Sequence, residues 1–469
     1  MKQSLKIALA AAGFAMVLAA CNPFLTGEGL TNDPNNPTTA TREALFMGVQ
    51  ATTWGQQESS PALTVCMWLQ QCTGGGGRFV EQFGHYVIDE GSFSFDFNSV
   101  YTGGGLTDIR KIETSAADAG DLQFLGITQI YEALVVGTAA DIWGDIPYTQ
   151  ALTTATPTLD NQFAVYDSVQ ALLSRAITNL GGAGPGPGDR DLVFGGDAAS
   201  WIKVAHTLKA RYFLHTVEAA GAGLLGARTP ALVYADVIAQ ATAGISDATG
   251  AGDFRAFHGQ NTSERNVWYQ FSQTTFGIDL VAGKRLVDIM NARTDPRRPQ
   301  YFGKNTLGTY GGDDVNAAQN PNTVSSVDGT RNSPTFRQPF VTYAENELIL
   351  AEAYNKTAND PVALTHLNNE RAAAGLAATA GAGAALLDSI MTEKYVALFQ
   401  NIEVWNDYRR NCIPVLTPYA GADVVFAGKI PGRFYYGSNE RNTNTNIPAP
   451  SAQLTTNGFR NRNDPAACP

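Results

Sequence analysis

LDSIMTEKYVALFQNIEVWNDYRRNCIP, residues 387–414, is the stretch on which the fold turns. Apolar or aromatic residues recur at Leu387, Ile390, Met391, Tyr395, Leu398, Phe399, Ile402 and Trp405, the three-and-four spacing that lays one stripe along a helix face. The stripe predicts a single long helix that must bury that face, with Glu393, Lys394, Glu403, Asp407, Arg409 and Arg410 mainly on its other faces. Cys412 and Pro414 end it, because proline disfavours a helical conformation in the residue before it.

The same period recurs upstream. VTYAENELILAEAY (341–354) and PVALTHLNNERAAA (361–374) read as a helix pair. So do 163–180 and 201–219, joined by GGAGPGPGDRD, a linker without a Walker lysine or a preceding strand and therefore no phosphate cradle. A further short helix spans 234–245, and periodicity from Leu106 runs to DIWGDIPY (141–148), where Gly144 and Pro147 stop it. A cap at Thr39 or Thr41 opens a helix carrying Ala44, Leu45, Met47, Gly48 and Ala51 towards Trp54. Helix pairs of this size predict a mostly α fold and resemble tetratricopeptide-like hairpins stacking into a superhelix, although no clean period emerges and the sequence alone does not establish repeats.

Two sections break the pattern. In 66–105, Trp68, Phe79, Phe83, Tyr86, Phe93, Phe95, Phe97 and Tyr101 alternate with glycine clusters, and 250–337 is rich in Asn, Gly, Thr and Ser around Trp268, Tyr269, Phe271, Phe276, Tyr301 and Tyr310. Aromatics on glycine-rich loops are not an ordinary core, and long loops in a globular chain are usually functional. The expected division is a scaffold at about 42–65, 106–249 and 338–414 with loop-rich parts at about 66–105, 250–337 and 415–469. The two aromatic sections are expected to meet as one ligand-binding face carrying Trp68, Arg78, Phe95, Asn98, Tyr101, Trp268, Tyr269 and Tyr301. Their rings would stack on a sugar or receive an apolar peptide side chain.

The wording of the organising stretch carries a resemblance. EKYVALFQNIEVWNDYRRNCIP followed by GRFYYGSNERNTN (432–444) resembles the SusD/RagB family of nutrient-binding outer-membrane lipoproteins, in the branch with a W-N-D-Y-R-R core, and 141–148 matches its helix-end motif. The resemblance extends from Cys21 to Pro469. It implies a helical scaffold with a loop-rich ligand-binding subdomain. It also implies capture of an oligomeric glycan or peptide and its delivery to a SusC/RagA-like TonB-dependent transporter, by binding rather than covalent chemistry and without a cofactor. A surface-anchored hydrolase and a structural or adhesive lipoprotein are the alternatives.

Composition and the chain start agree with export. A length of 469 residues permits one large domain or two to three smaller ones, and a hydrophobic fraction of 44% supplies a core. A net charge of −11 without a Lys/Arg cluster argues against nucleic acid. Residues 1–20 follow the plan of a secretory signal, with Lys2 and Lys6 before an apolar run too short to span a bilayer. Leu18-Ala19-Ala20-Cys21 looks like a lipobox that would acylate Cys21, and Asn22 favours an outer-membrane address, while the family resemblance implies that the body faces the cell exterior. Residues 21–41 read as an extended tether, and nothing later is apolar enough to span a membrane. Cys66, Cys72, Cys412 and Cys468 allow three pairings in an oxidising compartment, of which Cys66–Cys72 and Cys412–Cys468 are expected.

No catalytic motif stands out: there is no G-x-S-x-G or H-E-x-x-H, and His85, His206, His215, His258 and His366 lack ligand spacing. A pair of glycosidase carboxylates could come from anywhere in the chain. Asn32–Pro37 and Asp313–Asp314 lack calcium-loop spacing and read as turns. Glu345, Glu352, Glu370, Arg371, Glu393, Asp407, Arg409 and Arg410 read as bidentate pairs that lock packed helices rather than as a site.

Overall fold

The structure, a computed structural model, describes residues 40–75, 79–466 and 468. Cys21, Arg78, the leader and nearly all of the expected tether lie outside the described residues.

Helix α1 (Arg42–Glu58) begins where Thr41 Oγ1 accepts a hydrogen bond from Ala44 N at 3.2 Å, satisfying a backbone donor that the first turn leaves free. After α2 (Ser60–Trp68) come the short elements β1 (Cys72–Gly74), α3 (Phe79–Gly84) and α4 (Ser94–Ser99). The hairpin of α5 (Leu106–Asp118) and α6 (Leu122–Trp143) follows. Helix α6 is buried on all sides from Gly126 to Trp143, as befits a helix apolar all round. Asp121 caps it through Phe124 N at 3.1 Å, and Gly144 at φ +81° ends it. At Gly137 a Cβ would run into the Tyr212 ring, so glycine lets the next layer approach.

That layer is α7 (Gln162–Leu180) and α8 (Ala198–Leu214), followed by α9 (Val217–Gly221) and α10 (Pro230–Thr242). The loop-rich stretch then supplies β2 (Phe254–Arg255), α11 (Val267–Ser272), β3 (Leu280–Ala282), α12 (Lys284–Ala292), α13 (Arg298–Tyr301) and β4 (Pro339–Val341). The scaffold resumes with α14 (Tyr343–Lys356), α15 (Asp360–Ala373), α16 (Gly383–Ala397) and α17 (Glu403–Asn411), and α18 (Ser438–Thr443) and α19 (Pro450–Thr455) lie near the end. Each helix packs on the next in the row α5, α6, α7, α8, α10, α14, with α15 and α16 both on α14. The result is the mostly helical fold that the periodicity predicts, arranged as the tetratricopeptide-like superhelix that the family resemblance implies. Among the described residues no helix is long and apolar enough to cross a membrane.

The long helix expected over 387–414 is two helices. The chain breaks at 398–402, where Gln400 takes a left-handed backbone (φ +64°) and Asn401 Oδ1 accepts from Glu403 N at 2.9 Å, restarting the chain as α17. The apolar stripe survives the break because Leu398, Phe399, Ile402 and Trp405 are all still buried. Spacing reports burial, and here it does not report continuity. The charged residues on its other faces are buried as well: Glu393, Lys394, Glu403, Asp407, Arg409 and Arg410 are all under 10% exposed. In the section expected to be loop, α12 buries Leu286, Val287 and Met290.

Two-stranded pairings staple the loop-rich parts to each other and to the scaffold. β1 runs antiparallel to β3, with Thr73 opposite Val281, and β2 runs antiparallel to β4, with Phe254 opposite Val341. Cys66 is bonded to Cys72 and Cys412 to Cys468, each with Cα atoms 5.3 Å apart, inside the range a disulfide accepts.

Candidate ligand-binding cleft

A cleft of about 240 Å³ opens where the two aromatic sections meet. Its walls are Glu58, Ser59, Ser60, Leu63 and Thr64 from the α1–α2 junction, Phe83 from α3, and Val267, Trp268 and Phe271 from α11. Local chemistry fixes each wall. Asn266 caps α11 through Tyr269 N at 2.9 Å and donates to Phe336 O at 3.2 Å, while Ser272 Oγ donates to Asn332 Oδ1 at 3.0 Å. His258 Nε2 lies 2.9 Å from Glu58 Oε1, and Val267 N donates to Glu58 Oε2 at 3.4 Å, joining the end of α1 to the start of α11. Burial raises the Glu58 pKa, and the His258 contact offsets part of that rise. The Trp268 indole N–H is buried in the wall without a hydrogen-bond partner.

Helix α4 docks beside this cleft. Gln56 Nε2 donates to Ser99 Oγ at 3.2 Å, and the Ser60 hydroxyl pairs with Asp96. Burial pushes the Asp96 carboxyl up to about 7. On the same short helix Phe95 stands 82% exposed, a large apolar ring in water, with Asn98 half-buried a turn later. Phe276 and Ile278, after α11, are exposed as well.

The expected ligand-binding residues therefore divide. Phe95 and Asn98 sit on α4 beside the cleft, Trp268 is in its wall, and Tyr269 is half-buried on the same helix as Trp268. Trp68 is a correction. It is wholly buried, donates through Nε1 to Phe83 O at 2.9 Å, and packs edge-on against Trp405 at 5.4 Å and Phe434 at 5.2 Å. Phe93 stacks on Phe434 at 3.8 Å, and Phe97 meets Trp143 at 5.1 Å. Most of the aromatics in this section are thus core after all, because α17 and the C-terminal segment bring rings to cover them. Tyr101 packs on Phe97 and keeps its hydroxyl buried. Tyr301 is also corrected: it is 2% exposed, stacks on Phe399 at 4.5 Å, donates to Val396 O at 3.1 Å, and lines a different cavity. Leu63, Phe83 and Phe271 were not singled out as ligand residues. Phe271 carried a signal, lying three positions after Trp268 and hence on the same face of α11.

The charged residues of the scaffold pair with each other. Arg410 Nη1 and Nη2 donate to Glu352 Oε1 and Oε2 at 2.6 and 3.0 Å, and Lys394 Nζ donates to Glu352 at 2.6 Å and to Asp407 at 2.9 Å. Arg211 clamps Glu345 with two bonds of 2.6 Å, and Arg293, Arg297 and Arg371 converge on Glu393. Buried carboxylates are tolerable only when so paired. His215 lies between Asp141, 2.8 Å from Nδ1, and Glu403, 2.7 Å from Nε2. Burial alone would lower its pKa, but the two carboxylates reverse this and raise it to about 9. These three side chains offer metal-ligand atoms, yet an imidazolium donating to both carboxylates satisfies the group as it stands. Asp313, considered above for calcium, accepts from Thr73 Oγ1 at 2.8 Å.

Comparison with known proteins gives the fold a family. Among solved structures, one described as a chitin-binding protein superposes with a TM-score of 0.73 at 20% identity, covering 90% of this chain and all of its own. A SusD/RagB family protein from Bacteroides thetaiotaomicron gives 0.71 at 18% identity, covering 92% of this chain and 98% of its own. A chitin-binding SusD homolog from Flavobacterium johnsoniae gives 0.71 at 18%, covering 89% and 98%. At such identities the likeness shows the fold. No curated protein matches the sequence. The model of the SusD-like family described as "Starch-binding associating with outer membrane" matches residues 34–437, and the chain belongs to that family.

Proposed function

We propose that the protein is a surface lipoprotein of the outer membrane that binds an oligomeric glycan in the cleft between the α1–α2 junction and α11. The bound glycan would pass to a SusC/RagA-like TonB-dependent transporter. The observation that carries this reading is the largely apolar cleft with an exposed ring, Phe95, on the helix docked beside it. Apolar walls suit the C–H faces of sugar rings, and Asn98 and the Ser59 and Ser60 hydroxyls offer hydrogen bonds to their edges. The family description and the chitin-binding relatives favour a glycan over a peptide. Lipidation at Cys21 and residues 21–41 as a tether complete the reading. Against a hydrolase, Glu58 is the one carboxylate among the described wall residues, and it is held by His258 and Val267 N. A glycosidase needs two.

A glycan array and a peptide pool, each probed with the wild type and with Phe95→Ala, test the proposal. Binding of an oligosaccharide that Phe95→Ala weakens at unchanged melting temperature is expected. Binding confined to peptides, or turnover of the glycan, would overturn it.

A further inference from the structure

A second cavity, of about 260 Å³, shares no wall residue with the cleft. It lies among the loop leading into β2, the segment around α13, the start of α14 and the ends of α15 and α16. Three arginines, Arg255, Arg297 and Arg331, share its wall with two carboxyl groups, Asp253 and Glu370. Their charges do not balance. Arg297 donates through Nε and Nη2 to Asp295 at 3.0 and 2.8 Å, and Arg255 donates through Nε and Nη2 to Asp253. Arg331 has no carboxylate partner among the described residues: it lies 4.3 Å over the Tyr301 ring and 5.5 Å from that of Phe336. Ring faces attract a cation but carry no net charge, so they leave it uncompensated. Burial, with the charges of Arg297 and Arg255, lowers the Arg331 pKa, so the three guanidiniums feel one another across this wall. Glu370 does not offset them, because burial and the neighbouring Glu393 charge push its carboxyl up to about 8 and keep it neutral at pH 7. In a chain of net charge −11, this is a local excess of positive charge facing an open space.

We infer that this cavity is a second binding site, which takes a singly charged oxyanion, a carboxylate or a sulfate ester, on a small ligand. Arg255 makes the direct contact: its side chain is 39% exposed, and among the described residues its Nη1 makes no hydrogen bond. Arg331 contributes its charge, which acts across the cavity without touching the ligand. Gln300, exposed on the same wall and joined to Arg331 by the bond from Arg331 N to Gln300 O at 3.0 Å, offers a neutral polar contact. A single unmatched guanidinium suits a single negative charge, and the ligand charge relieves the cost of holding Arg331 unpaired. The site stands whether or not the cleft binds glycan.

Calorimetric titration of the full-length protein at pH 7 with glucuronic acid, glucose 6-sulfate and glucose tests the inference. At least one of the two anions should bind, at least tenfold more tightly than glucose and more weakly as salt is raised. Whichever binds identifies the oxyanion. Arg331→Met should weaken that binding at least fivefold, whereas Phe95→Ala, in the separate cleft, should not change it. If Arg331→Met fails to fold, Gln300→Glu, an isosteric change at an exposed position on the cavity wall, adds only a negative charge and should weaken binding of the anion by a similar factor. Glucose binding as tightly as both anions, absence of binding by either anion, or binding undiminished in the folded variants would overturn the inference.

Discussion

Two regions built from the same residue types have opposite fates. Around Trp68, the rings of Phe93, Trp405 and Phe434 close into a knot from which water is excluded, whereas around Trp268 the rings line an open cleft and nearby Phe95 faces water. Both regions read as aromatics on loops. What separates them is the partner each receives from far along the chain. The knot is covered by α17 and the segment carrying Phe434, while the cleft is only bordered by α1, α2, α3 and α11. An aromatic ring on a loop becomes core when another element supplies the opposing face, and a binding surface when none does.

The largest expected effect breaks the knot. Trp68→Ala removes a wholly buried indole and its bond to Phe83 O, and should cost about 3–5 kcal/mol of folding stability by denaturant titration. Little loss would mean that the knot tolerates a hole and that Trp68 has some other role. Next, replacing Cys412 and Cys468 together by serine frees the tail from the end of α17, opening a link 56 residues apart in sequence. A loss of about 2–4 kcal/mol is expected, with the cleft's ligand affinity unchanged. Lost affinity at full folding would show that knot and cleft are coupled.

The third test uses pH. His215 grips Glu403 at the start of α17, the helix that brings Trp405 to the knot. Its folded pKa of about 9 lies above the ordinary value of 6.5. Its contribution is therefore complete below pH 6.5 and is lost as pH rises through 9, a decline of roughly 2–3 kcal/mol that a His215→Gln variant should not show. Equal pH profiles for the two proteins would rule out the charged form. The smallest effect on folding belongs to the cleft. Phe95→Ala should cost about 1–3 kcal/mol in ligand affinity and less than about 0.5 kcal/mol in stability. Early melting of this variant would erase the distinction between the two regions.

The sequence by itself determined the helical scaffold, since period, caps and breakers act over one or two turns and are written locally. Thr41 and Gly144 do in space what their positions imply. It also determined the cysteine pairs and the family, the latter through the wording around Trp405. The break at Gln400 stayed hidden because an apolar stripe continues across it, and α12 because it is short and set among loop residues. Only the tertiary structure decided which aromatics are core and which border the cleft. Burial depends on what packs from more than three hundred residues away, as Phe434 does on Trp68. Charge placement was decided there too. Glu352 and Arg410 read as members of pairs that lock packed helices, but only the fold shows that Lys394 and Arg410 both meet Glu352 of α14, the pairing that makes their burial affordable.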